Sequence, residues 1–131
     1  MTKSTEHPLE WLPTGRTVAM RAAGEWWDAV RVPRYLGESV LTALGPACGA
    51  VIKDPSGALL YWLVPPGEAE VWQIRPGSGV YVQGAATHLA VPGPQRTGGP
   101  HWRVPPTRTR CLTDPVSLRH ALATLDAAVI R

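Results

Sequence analysis

Apolar and polar side chains alternate from Trp27 to Val32, with Trp27, Ala29 and Arg31 on one side and Asp28, Val30 and Val32 on the other. That two-residue period predicts an extended strand. Pro33 follows and suits the opening of a helix, because the N–H it lacks is one that a helix N-terminus leaves unpaired. Leu36, Val40, Leu41 and Leu44 then recur at helical spacing, and Gly45-Pro46 stops the element. Arg34 and Glu38 fall on the outer face of this helix.

The segment GAVIKDPSGALLYWLV, Gly49 to Val64, reads as a hairpin. Asp54-Pro55-Ser56-Gly57 between its arms suits a type I turn, with Asp first, Pro second and Gly last. The second arm is apolar on both sides, as expected of a central strand. Further short strands are predicted at Glu70 to Ile74, Val80 to Val82, Thr87 to Val91 and His101 to Val104, separated by Pro- and Gly-rich turns. Toward the end, Asp114 can cap a helix that has Pro115 in its first turn. Leu118, Ala121, Leu122, Leu125, Ala128 and Val129 give that helix an apolar stripe. The pattern predicts an α+β domain: a mostly antiparallel sheet of about five short strands packed against two helices. Residues 1–10 lack periodicity and are expected to form a flexible tail, leaving 11–131 as one globular unit.

Composition sharpens this picture at a few points. Phe is absent while Trp numbers six, so Trp and Leu must supply most of the large packing surface. The longest apolar run, Ala58 to Val64, is far short of the ~20 residues that cross a bilayer. No secretion signal is visible at the N-terminus, so a cytoplasmic location without a membrane partner is expected. Cys48 and Cys111 are expected to be reduced thiols in that setting. The net charge of +3 arises from eleven Arg and two Lys against ten acidic residues. It is compatible with nucleic acid but is too mild to demand it.

Motifs for self-sufficient chemistry are missing. His7, His88, His101 and His120 form no ligand spacing with one another or with Cys, so no metal is expected. Glu68 and Glu70 are the pair of acids that a strand would place on one side, immediately after a Pro-Pro-Gly stop. Ser56 is not in a GxSxG setting, and no glycine-rich phosphate loop opens a helix, so no cofactor is expected. A concentrated segment remains: Arg96, His101, Trp102 and Arg103, with Arg108 and Arg110 downstream. Arg forks can hold phosphate and Trp or His can stack on a base, which makes this segment the candidate nucleic-acid contact. Trp26 and Trp27, if extended, send one ring each way, leaving one for the core and one for a partner protein or a second copy.

The order of Trp11-Leu12-Pro13-Thr14-Gly15-Arg16, Trp27 to Pro33, the hairpin and His101-Trp102-Arg103-Val104-Pro105-Pro106 resembles domains of the bifunctional primase/polymerase N-terminal type from high-GC actinobacteria. The resemblance covers roughly residues 10–107. It implies the fold and an ability to hold nucleic acid. Catalytic members of the wider primase group place an Asp-x-Asp on a strand, with a separate His and a further Asp. This chain has no Asp-x-Asp; Asp54 falls in a turn, and His88 is the His at a strand position. The expectation is therefore a non-catalytic binding or regulatory module. Two alternatives stand beside it: a protein-interaction module, and a small enzyme whose Cys48, Asp54 and His88 converge within hydrogen-bond reach.

Overall fold

The computed structural model describes residues 7–130. Along the chain run β1 (Val18–Ala22), β2 (Asp28–Pro33), α1 (Arg34–Leu44), β3 (Val51–Asp54), β4 (Leu59–Val64), β5 (Tyr81–Gln83), β6 (His88–Pro92), β7 (His101–Val104) and α2 (Pro115–Leu125). Five strands form one sheet in the order β5-β2-β4-β3-β7, and β1 pairs with β6 in a second, two-stranded sheet. Every pairing is antiparallel. The α+β architecture is as expected, with seven strands among the described residues instead of about five.

The five-stranded sheet is buried on both sides, which explains why β4 is apolar throughout. Leu60, Trp62 and Val64 of β4 face α1 and α2 with Val30, Val32, Leu36, Val40, Leu118 and Leu122. Leu63 faces the opposite way, into a second core built from Trp11, Trp27, Ile52, Leu89, Val91 and Trp102. The β1–β6 ribbon and the segment around Trp11 cover that second side. Helix α1 approaches the sheet closely because position 37 has no side chain. A Cβ on Gly37 would lie 2.5 Å from Leu60 Cδ1.

With Phe absent, indoles fill the second core. Trp11 meets Trp27 edge-on at 5.8 Å and Trp102 at 6.2 Å between ring centroids. Edge-to-face and tilted contacts are the favoured ring arrangements at such separations. The WLPTGR segment is fastened to the chain beyond β6, where Gly93 N–H donates to the Thr17 carbonyl and Gln95 N–H to that of Gly15. A side chain on Gly93 would collide with the Gly15 carbonyl. In the expected tail, residues 1–6 lie outside the described residues. His7 N–H donates to the Arg108 carbonyl at 2.6 Å.

Three local expectations are corrected. Glu70 to Ile74 is not a strand: Glu70 and Val71 close a turn, the next two residues are irregular, and Ile74 makes one isolated bridge to Ile130. Asp28 Oδ2 accepts the Gly67 N–H, and Ala69 is buried in the first core, so the chain bends inward instead of extending. In the hairpin the backbone turn runs from Pro55 to Ala58, where Ala58 N–H donates to the Pro55 carbonyl. Asp54 Oδ1 accepts from Ser56 N–H and Oγ, and Ala58, not Gly57, takes the positive φ of 52°. Helix α2 ends at Leu125, so Ala128 and Val129 lie beyond it. The Asp114 cap is as expected, its Oδ2 accepting from Ser117 N–H at 3.0 Å.

Candidate nucleic-acid interface

The segment expected to hold phosphate and stack a base is only partly available to a ligand. Trp102 is 8 % exposed, and its Nε1 donates to the Pro92 carbonyl at 2.7 Å. It is a core side chain, and the expected base-stacking role is corrected on that ground. A bulge explains its placement. Ile52 pairs with Trp102, but Val51 pairs with Val104, so Arg103 is the extra residue. An inserted residue inverts the alternation of sides. Trp102 therefore joins the second core, whereas Val104 packs against the first.

The arginines divide into two groups. Arg96 donates from Nη1 to the Arg16 carbonyl and packs against Gly99, and Arg110 donates from Nε to the Cys48 carbonyl at 2.6 Å. Both brace the backbone. Arg108 is exposed on its loop. Arg103 remains outside on β7, with Nη2 3.8 Å from Glu38 Oε2. His101, beside it, is half-buried; its Nδ1 lies 2.7 Å from the Gly99 carbonyl. That contact places the proton on Nδ1 in the neutral ring and leaves Nε2 as the other polar edge.

Two further segments bring cations to Arg103. Lys53 on β3 stands opposite His101, and its Nζ lies 4.0 Å from Glu38 Oε1. Arg34 and Glu38, one turn apart on α1, line a groove of about 360 Å³ with Tyr35 and Ala58. Tyr35 is 75 % exposed. Lys53 and Arg103 thus meet at one carboxylate, Glu38, which shares its groove with Arg34 and an accessible aromatic ring. The two ion pairs are long and open to water, so they neutralise the patch only weakly. The chain spacing of 34, 53 and 103 gave no sign of this convergence.

The remaining sequence candidates scatter. Trp27 is 1 % exposed, and Trp26 is half-buried against the same core, so the two rings do not diverge as expected. Exposed apolar surface lies elsewhere, at Val71 (82 %) and Val116 (73 %), which flank one groove. Cys48, Asp54 and His88 do not converge. Asp54 and His88 line one recess on the second side of the sheet, whereas Cys48 belongs to the first core. There its Sγ accepts from Trp62 Nε1 at 3.3 Å. Burial pushes the Cys48 thiol above its ordinary value and that of Cys111 up to about 11; both are free and buried. Among the described residues no group of three or more His, Cys, Asp or Glu is placed to hold a metal ion. Nor is any described helix long and apolar enough to cross a membrane.

Comparison of the chain with family models, curated proteins and solved structures finds no match. The functional reading accordingly rests on geometry.

Proposed function

We propose that this chain is a non-catalytic binding module that holds the phosphate backbone of nucleic acid on the Arg34–Lys53–Arg103 patch. The observation that carries the reading is that Lys53 of β3 and Arg103 of β7 meet at Glu38 of α1, which shares a groove with Arg34 and with Tyr35 at 75 % exposure. Guanidinium forks and an ammonium supply charge-assisted bonds to phosphate oxygens, and an exposed phenol ring offers a face to an unstacked base. Glu38 keeps the cations mutually oriented when no ligand is present. The primase/polymerase-type resemblance agrees with a nucleic-acid partner, and the absence of an Asp-x-Asp from the sequence agrees with binding without phosphoryl transfer.

Fluorescence anisotropy with single- and double-stranded DNA across a salt series tests the proposal. Three phosphate contacts give a slope of log affinity against log salt of about −2.7 for duplex and about −2 for single strands. Absent binding, or an affinity indifferent to salt, removes phosphate contact from the account.

A further inference from the structure

The second side of the five-stranded sheet carries a cation without an ion pair among the described residues. Arg31 of β2 stands opposite Tyr81 of β5 and opposite Tyr61 of β4, so the three side chains form a row across adjacent strands. Its guanidinium carbon lies 4.5 Å from the Tyr81 ring centroid. Burial, and to a lesser degree the Asp54 charge, push the Tyr61 phenol above its ordinary value, against the pull of the Arg31 charge and hydrogen bond. Arg31 is itself half-buried, and its Nε is enclosed without a hydrogen-bond partner. Among the described residues, no carboxylate lies within 4.0 Å of it.

A cation taken out of water loses hydration that neutral phenol rings replace only in part. Buried charges ordinarily find a partner of opposite sign, and a guanidinium between two rings is well placed to receive a planar or tetrahedral oxyanion. A recess adjoins the row, about 80 Å³ in volume, with Tyr61, Gln83, His88 and Asp54 among its walls. At roughly 30 Å³ per water, that is space for about three waters, and thus for a small head group but not for a whole nucleotide. The Asp54 carboxylate lines the recess with its Oδ1 accepting from Ser56, and its charge raises the Tyr61 phenol, so the Asp54 end of the recess repels an anion. An anion is therefore directed to the Arg31 side.

We propose that the Tyr81–Arg31–Tyr61 row binds a small oxyanion, a phosphate or carboxylate group, with the body of its ligand lying over the half-exposed Tyr81 ring. This site is independent of the nucleic-acid patch. Arg31 shares a side with Trp27 and Ala29 of the second core, whereas Lys53 and Glu38 lie on the helical side.

Thermal unfolding and calorimetric titration with inorganic phosphate and, separately, acetate test the site in the full chain. The expected result is saturable stabilisation by one or both anions, reduced at least tenfold in affinity in Arg31→Met and unchanged in Arg75→Gln, a substitution of an exposed turn residue outside both sites. Stabilisation by phosphate alone or by acetate alone assigns the class of head group. No saturable effect from either anion overturns the proposal, as does an effect that persists in Arg31→Met. An effect lost in Arg103→Gln but kept in Arg31→Met belongs to the other patch and also overturns it. Should Arg31→Met fail to fold, the Arg31 Nε–H resonance of the unmodified protein decides. It must move on titration, and a static resonance refutes the site.

Discussion

Replacing Trp102 by Ala separates a core indole from a ligand-stacking one. The ring is 8 % exposed, packs against Trp11 and donates to Pro92. An aromatic side chain of this kind buries about 150–250 Å². At about 25 cal/mol per Å² this corresponds to roughly 4–6 kcal/mol as an upper figure. Measured Trp and Phe truncations in cores cost about 3–5 kcal/mol, and that is the expected loss. Since a domain has only about 5–15 kcal/mol in total, the variant should be severely weakened. Urea unfolding reads the loss as a lower midpoint at unchanged slope. Trp102→Phe, which keeps a ring but removes the indole N–H, should lose less. Among molecules still folded in the cold, DNA affinity should be unchanged. A loss below about 1 kcal/mol, combined with a tenfold fall in DNA affinity, would refute the burial argument and restore Trp102 as a stacker.

Ala58 holds a left-handed conformation that costs a non-glycine residue roughly 1–2 kcal/mol. Ala58→Gly is expected to stabilise the hairpin by up to about 1 kcal/mol once the greater freedom of the unfolded glycine is subtracted, as urea unfolding can show. Because burial raises the Cys111 thiol from 9.0 to about 11, the unfolded chain sheds this proton first as pH rises. Its contribution is complete below pH 9.0 and declines as pH passes from there toward about 11. Unfolding curves compared between Cys111 and Cys111→Ala should converge over that interval, and the native thiol should resist alkylation at neutral pH.

Local pattern carried much of the fold into view. Alternation placed Trp27 and Ala29 opposite Val30 and Val32, and β7 runs from His101 to Val104 as its pattern predicts. The Asp114 cap and Pro115 likewise mark the start of α2. What escaped depends on contacts between distant segments. Nothing near Glu70 signals that Asp28 will take the Gly67 N–H and divert a β-like run into turns. The bulge at Arg103 inverts Trp102 relative to Val104, and only the register against β3 reveals it. The candidate patch illustrates the same limit. Arg103 was visible in a basic segment, but Arg34, Tyr35 and Lys53 join it through the packing of α1 beside the sheet edge. Arg31 was readable as one member of a strand alternation. Its place between two tyrosines emerged only when Tyr61 and Tyr81 came into register beside it.

The most direct test of the phosphate-binding account is the salt slope of duplex DNA binding in Lys53→Gln/Arg103→Gln compared with the unaltered chain. Each phosphate contact removed lowers the slope by about 0.9, so a reduction of about 2 is expected, with weakening uniform across DNA sequences. An unchanged slope in a folded double variant would contradict the account, because the ions released on binding would then come from contacts made elsewhere.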